Sequence, residues 1–203
     1  MYRILILLGL IAVCIPFSYY LLKPKEANNK ELPVAHEGQR VSDFSFTNQE
    51  GDTVNKEFIA GKVVVAEYFF TTCKTICPIM TKQMQRVQTV FSKEDGLRIL
   101  SFTCDPETDT VEQLKRYASA KKVNSLQWQF LTGDKKELYN FARNSLYVLK
   151  PDATLNQADD GSDFIHTNNF VLLDKLGQIR GYYDGTSEKE VNLLIEDIKS
   201  LLN

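Results

Sequence analysis

Short apolar segments alternate with amphipathic segments over most of this chain, and the two periodicities predict strands and helices in turn. Apolar runs bounded by polar or turn residues predict five strands: Val63 to Phe70, Leu97 to Cys104, Trp128 to Leu131, Phe170 to Leu173 and Ile179 to Tyr183. Helix-start signals at the intervening and final segments predict four helices, which begin near Pro78, Thr110, Asp134 and Ser187. The helix near Asp134 is expected to extend to Tyr147. The pattern predicts an α/β protein.

Capping and turn residues refine this prediction. Thr110 with Gln113, and Ser187 with Glu190, have the spacing of capping boxes at helix starts. Apolar residues alternate with polar ones over Phe44 to Val54, which predicts a β-hairpin. A β-α-β-α core followed by β-β-α is the order of the thioredoxin-like fold. The sequence therefore predicts a thioredoxin-like fold with an N-terminal β-hairpin extension.

The beginning of the chain has a different character. Ile4 to Leu22 carries no charged residue and is long enough to span a bilayer as a single helix. We therefore predict a membrane anchor at residues 1–22, a polar linker at 23–39 and the folded domain at 40–203. A cleaved signal peptide and a lipoprotein modified at Cys14 are the alternatives. The apolar run is longer than a usual signal-peptide core, and the residue before Cys14 is bulky.

The amino-acid composition indicates a globular domain and disfavours nucleic-acid binding. Of the 203 residues, 43% are hydrophobic and 25% are charged, which is typical of one globular domain with a proper core. The formal net charge is -2, so the chain lacks the basic surface that nucleic-acid binding requires. A nucleic-acid partner is therefore not expected.

A pair of cysteines carries the strongest chemical signal. Cys73 and Cys77, followed directly by Pro78, lie where a predicted strand gives way to a helix. Residues four apart near a helix start lie on one face, so both sulfurs are predicted to converge. The helix N-terminus and Lys74 are expected to lower the thiol pKa. Such thiolates bind a soft metal, form a disulfide or attack one, and the motif alone does not choose among these.

A single histidine favours the metal. His166 precedes the Phe170 strand, in a loop that a thioredoxin-like order places beside the cysteines. Thioredoxins have a cis-proline there, whereas no proline of this chain lies near that loop. Two soft thiols and one imidazole are a ligand set for copper rather than for calcium or magnesium. We therefore predict that Cys73, Cys77 and His166 bind Cu(I), and that Cu(II) can add another ligand. A structural role for His166 is the alternative.

Other candidates carry weaker signals. Cys104 ends a strand at the same edge as the cysteine pair, and is either a third thiol of the site or a buried free cysteine. Asp105 either orients the site through hydrogen bonds or forms a turn with the following proline. His36 is expected to be an ordinary surface residue. The acidic stretch from Asp159 to Asp163 lacks the spacing of a calcium loop and is expected to carry His166 toward the thiols.

These motifs together resemble the Sco/SenC copper proteins of cytochrome oxidase assembly, over most of residues 40–203. The resemblance rests on three features: Cys73-x-x-x-Cys77-Pro78, Asp105-Pro106-Glu107-x-x-Thr110, and His166 some ninety residues after the cysteines. It implies that Cys73, Cys77 and His166 are the copper ligands. The chain departs from the family pattern at Ile165, where an Asp is usual and the nearest is Asp163, and at Cys104, where an aliphatic residue is usual.

The resemblance also implies a function and a location. Family members are membrane-anchored thioredoxin folds on the outer, periplasmic face of the inner membrane. The expected role is to deliver copper to the copper-binding subunit of cytochrome c oxidase or to maintain its thiols, with thiol-disulfide reductases as further partners. The alternative is a thiol-disulfide reductase in which Cys73 is the nucleophile and Cys77 the resolving thiol. A peroxiredoxin is disfavoured, because no Pro-x-x-x-Thr-x-x-Cys pattern ends at Cys73.

Overall fold

The computed structural model describes residues 32–35, 38–148 and 167–203. The predicted anchor at residues 1–22 lies outside the described residues, as do His36, His166 and the acidic stretch before His166. Within the described ranges, no helix combines the length and the hydrophobicity that crossing a bilayer requires.

The described residues form an α/β domain with seven strands and five helices. The strands are β1 (Ser45–Asn48), β2 (Thr53–Asn55), β3 (Val63–Phe69), β4 (Leu97–Thr103), β5 (Trp128–Thr132), β6 (Asn169–Leu173) and β7 (Ile179–Asp184). The helices are α1 (Lys56–Ile59), α2 (Cys77–Val90), α3 (Val111–Ala120), α4 (Lys135–Asn144) and α5 (Glu188–Leu202). The five predicted strands, the hairpin and the four predicted helices are all present.

One mixed sheet contains all the described strands, in the order β2-β1-β5-β4-β3-β6-β7. The central strands β3, β4 and β5 are parallel, and Val65 of β3 lies opposite Ile99 of β4. The strand β6 runs antiparallel to β3, and β7 runs antiparallel to β6. This is the predicted thioredoxin-like arrangement, with an additional β5–α4 unit inside it. The N-terminal hairpin extends the sheet because β1 pairs antiparallel with β5.

Helices cover both faces of the sheet, so the central strands are buried on both sides. Successive residues of β3 point alternately into two apolar clusters. The first cluster contains Val63, Val65 and Phe69 and packs against α2, α3 and α5. The second cluster contains Val64, Ala66 and Tyr68 and packs against α1, α4 and the hairpin. This two-sided burial explains why β3 reads as an almost continuous apolar run.

Two helix starts agree with the predicted capping residues, and one helix end differs from the prediction. The amide of Gln113 donates to Thr110 Oγ1 at 3.3 Å, and the amide of Glu190 donates to Ser187 Oγ at 3.4 Å, which confirms both predicted N-caps. The helix α4 ends at Asn144, earlier than the predicted Tyr147. Tyr147 has a φ of 51°, which a right-handed helix cannot accommodate.

Part of the segment predicted as a linker lies against the domain. Leu32 is 5% exposed and belongs to the first apolar cluster. The side chain of Arg180 donates to the carbonyl of Leu32, and the amide of Ala35 donates to the carbonyl of Ile179 at 2.8 Å. The domain therefore includes residues before position 40.

Candidate functional site

The cysteine pair occupies the turn between β3 and α2, at the carboxyl end of the parallel strands. Cys73 is half-buried in the loop, and its amide donates to the carbonyl of Phe70 at 3.3 Å. Cys77 is the first residue of α2 and is 4% exposed. Pro78 lies in the first helical turn, as predicted, where the missing amide hydrogen costs nothing.

The two sulfurs converge, but not through helical spacing. Cys73 precedes α2, so the expectation that both cysteines share one helix face is wrong. Instead the amide of Cys77 donates to Cys73 Sγ, with 3.5 Å between the two atoms. The hydroxyl of Thr75 lies 3.6 Å from the same sulfur. The N-cap residue of α2, Ile76, makes no side-chain capping bond. The sulfur of Cys73 instead accepts a hydrogen bond from an amide at the start of the helix.

The environments of the two thiols are opposite. Burial raises the pKa of Cys73, but hydrogen bonds from Cys77 and Thr75 outweigh it and lower that pKa to about 7. Burial dominates at Cys77 and raises its pKa to about 12, with further contributions from the Cys73 thiol and Glu67. The expected lowering of thiol pKa therefore holds for Cys73 and fails for Cys77. Near neutral pH such a pair has one accessible sulfur that is partly ionised and one buried sulfur that is protonated.

The described residues that follow His166 in the sequence lie at the same edge of the sheet as the cysteines. Ala66 of β3 pairs with Val171 of the antiparallel β6, so β6 begins near the point where β3 ends. The amide of Asn169 donates to Thr167 Oγ1 at 3.1 Å. His166 directly precedes Thr167 in the sequence but lies outside the described residues, so its role as a ligand stays a prediction.

Cys104 lies on the other side of the sheet. Its amide donates to the carbonyl of Phe69 at 2.8 Å, but its side chain packs in the second apolar cluster, with Tyr68 and Phe102. Cys77 packs in the first cluster. Burial raises the pKa of the Cys104 thiol well above its usual range. The structure therefore favours a buried cysteine outside the site over a third thiol of the site.

Asp105 forms a turn with its backbone. Its carbonyl accepts hydrogen bonds from the amides of Thr108 at 3.2 Å and Asp109 at 2.8 Å, and its amide donates to Thr103 Oγ1 at 2.9 Å. The carboxylate that contacts the cysteine loop belongs to Asp109, which no sequence pattern indicated. The amide of Thr71 donates to Asp109 Oδ2 at 3.1 Å.

A second acidic residue was also missed. Glu67 lies in β3 and is 1% exposed, opposite Ser101 of β4, whose hydroxyl donates to Glu67 Oε1 at 2.6 Å. Ser101 in turn accepts from Trp128 Nε1 at 2.8 Å. Burial raises the pKa of Glu67 to about 7, and the Ser101 bond lowers it only in part. The signal available in the sequence was a single acid inside an apolar strand.

The thiol pair suits a soft metal ion. Thiolates prefer Cu(I) to hard cations, and Cys73 and Cys77 are free thiols whose side chains interact with each other. Across the described ranges, no group of three or more His, Cys, Asp and Glu side chains is arranged to hold a metal. The described part of the chain therefore supplies two soft donors.

Comparisons with known proteins identify the family of this chain. A family model described as SCO1/SenC matches residues 34–203. The SCO1 protein homolog of Bacillus subtilis strain 168 is 35% identical over 162 residues, which cover 79% of this chain and 81% of that protein. Among solved structures, BsSco is 32% identical with a TM-score of 0.69, covering 84% of this chain and 96% of its own.

A more distant structure shares the fold. Copper-bound Sco1 from yeast is 23% identical with a TM-score of 0.58, covering 81% of this chain and 96% of its own. Copper, the metal predicted from the sequence, is therefore the metal of a solved family member. The matched family model spans the whole described domain after its first two residues, and it includes both cysteines and the loop that carries Asp109. The chain belongs to the SCO1/SenC family.

Proposed function

We propose that this protein binds copper through Cys73, Cys77 and His166 and passes it to the copper-binding subunit of a cytochrome c oxidase. Cys73 and Cys77 must be reduced to bind copper, so copper loading and the disulfide state are coupled. Thiol-disulfide reductases are therefore expected partners. The predicted anchor at residues 1–22 would hold the domain at the outer face of the inner membrane.

The observation that carries this proposal is the contact between the two cysteines. The sulfur of Cys73 accepts a hydrogen bond from the amide of Cys77, and both thiols are free. Against the effect of burial, hydrogen bonds from Cys77 and Thr75 lower the pKa of Cys73 to about 7, so a large fraction of this thiol is ionised near neutral pH and can bind a soft metal. Cys77 can lose its proton to the solvent when copper binds, because metal binding displaces thiol protons.

The partner is supported by the relatives. BsSco is described as a member of the Sco family of cytochrome c oxidase assembly proteins, and the similarity covers 84% of this chain. The same description reports a disulfide switch in BsSco. A reversible Cys73–Cys77 disulfide in this protein is the corresponding proposal.

Thiol-disulfide exchange is the second candidate function, and one observation favours it. Cys73 has the lowered pKa and the greater exposure, which suits an attacking thiol, whereas Cys77 is buried and protonated, which suits a resolving thiol. The same asymmetry serves a copper carrier. Only a measurement of copper binding against disulfide turnover separates the two functions.

Copper titration of the reduced full-length chain under anaerobic conditions is the decisive experiment. We expect about one copper per chain and little reductase activity toward insulin. Cys73→Ser and Cys77→Ser should each abolish binding, and Cys104→Ser is the matched control that should retain it. Rapid disulfide turnover without copper affinity would make thiol-disulfide exchange the better-supported function.

The location has its own test. Membrane fractions should hold the full-length chain, and alkaline carbonate should not extract it, because an uncut apolar run of this length inserts stably. A mature N-terminus near residue 23, or a lipid on Cys14, would show that the anchor proposal is wrong.

A further inference from the structure

A buried carboxylate joins three parts of the domain beneath the cysteine loop. Asp109 is 0% exposed and lies just before the N-cap of α3. Its Oδ2 accepts from the amide of Thr71 at 3.1 Å and from the hydroxyl of Thr103 at 2.6 Å. Its Oδ1 accepts from the hydroxyl of Thr71 at 2.5 Å and weakly from the same amide at 3.3 Å. One side chain therefore receives bonds from two different strand ends.

Further hydrogen bonds brace both partners of this carboxylate. Thr103 Oγ1 also accepts from the amide of Asp105 at 2.9 Å, and Asp105 accepts from the amide of Asp109 at 2.8 Å. The side chain of Gln113, in the first turn of α3, donates to Thr71 Oγ1 at 3.0 Å. The end of β4 and the start of α3 together hold Thr71 in place.

Thr71 lies two residues before Cys73 in the loop that follows β3. Within the loop, the amide of Cys73 bonds to the carbonyl of Phe70, the sulfur of Cys73 accepts from the amide of Cys77, and the side chain of Cys73 packs against the first apolar cluster. Thr71 is where hydrogen bonds with Asp109 and Gln113 fix the start of this loop. Outer contacts of this kind orient thiol and metal sites, and losing them costs affinity or activity.

We propose that Asp109 is a positioning residue for the cysteine pair: it anchors Thr71 so that the sulfur of Cys73 stays against Cys77. The inference rests on the proposed use of the thiol pair, but it applies equally to copper binding and to thiol exchange. A carboxylate suits this position because both of its oxygens accept hydrogen bonds, and the amide of Thr71 can only donate.

The test uses the equilibrium between the Cys73–Cys77 disulfide and glutathione in the full-length chain. The two thiols are oxidised to one disulfide, and glutathione disulfide is reduced to two glutathione thiols, which take up the two protons. The equilibrium constant reports how well the two sulfurs are held together. We expect Asp109→Asn to lower it about tenfold, because misplacing one reacting atom reduces its effective concentration.

A matched control separates positioning from a general loss of stability. Asp197 is also a buried carboxylate, 4% exposed, and it accepts a hydrogen bond from Tyr183 between β7 and α5. Asp197→Asn should lower the stability to urea but leave the glutathione equilibrium unchanged. An equal equilibrium constant in Asp109→Asn and the unmodified protein would overturn the proposal.

Thr71→Val gives a second, milder variant in case Asp109→Asn does not fold. It removes the hydroxyl bonds to Asp109 and Gln113 but keeps the amide bond, so we expect a fall of about threefold in the same constant. No change in Thr71→Val would also count against the proposal. If the unmodified protein fails to bind copper while Asp109→Asn still weakens the disulfide, the copper function is wrong and the positioning role stands.

Discussion

The backbone amide of Cys77 donates a hydrogen bond to the sulfur of Cys73, and these two atoms lie 3.5 Å apart. The sulfur thereby satisfies one of the unpaired amides at the start of α2, and the hydrogen bond stabilises the ionised form of the Cys73 sulfur. At Cys77 a hydrogen bond from the backbone of Phe70 also favours the ionised thiol, but burial of the side chain outweighs it and raises the pKa. The two cysteines of the motif therefore differ in reactivity although they are only four residues apart.

The first prediction concerns this difference in reactivity. Iodoacetamide should modify Cys73 first, at a rate that rises as the pH passes about 7, because the lowered pKa makes the thiolate abundant above that pH. Cys77 should react slowly up to pH 9, since burial raises its pKa to about 12. Peptide mass spectrometry at a series of pH values measures both rates. Cys73→Ser removes the fast phase if the assignment is right, and a fast phase on Cys77 would contradict it.

The second prediction concerns Glu67 and the pH dependence of stability. Its folded pKa of about 7 lies above the ordinary value of 4.5, so the folded protein holds this proton more strongly than the unfolded chain does. The free energy of unfolding should therefore fall as the pH rises from about 4.5 to about 7, by roughly 3 kcal/mol from this group. Above pH 7 the contribution of Glu67 should stay constant.

Glu67→Gln tests this assignment, because glutamine cannot ionise. The variant should lose the fall between pH 4.5 and 7, and at pH 8 it should be more stable than the unmodified protein. Glu57→Gln, at an exposed position, is the control and should leave the pH profile unchanged. Urea unfolding between pH 4 and 9 measures the effect. An unchanged profile in Glu67→Gln would show that this carboxyl does not titrate in that range.

The third prediction concerns His166. His166→Ala should leave the fold and the Cys73–Cys77 disulfide intact and should weaken Cu(II) binding more than Cu(I) binding. Two thiolates satisfy Cu(I) in a linear geometry, whereas Cu(II) prefers a mixed set of nitrogen and sulfur ligands. The visible sulfur-to-copper charge-transfer band is the readout. His36→Ala changes the other histidine of the chain and should leave the band as it is, and the same result in His166→Ala would mean that His166 is structural.

The fourth prediction concerns Cys104. Cys104→Ala should leave the copper stoichiometry and the Cys73–Cys77 disulfide unchanged, because the Cys104 side chain packs on the opposite side of the sheet from Cys77. It should lower the free energy of unfolding by roughly 1 kcal/mol, as expected for a small cavity in an apolar cluster. Copper titration and urea unfolding measure the two effects. A loss of copper capacity would place Cys104 in the site after all.

The order of the elements was readable from the sequence, because it depends on local patterns. The apolar run of β3, the capping residues Thr110 and Ser187, and Pro78 after the cysteines all act over a few residues. The helix ends were less readable. The chain leaves α4 through a positive φ at Tyr147, with the amide of Val148 bonded to the carbonyl of Ala142. A tyrosine gives no sequence signal for this helix end, because such positions usually hold glycine.

The sequence by itself also predicted the chemistry of the site, since two cysteines and a histidine are a ligand set for a soft metal, and His166 as the third ligand stays a prediction. Only the tertiary structure decided how the two thiols differ. The pKa of Cys73 and that of Cys77 depend on burial and on hydrogen bonds, both of which arise when α2 packs on the sheet. The same holds for Asp109 and Glu67: each is an ordinary acid in the sequence, and its partners come from strands that are distant along the chain.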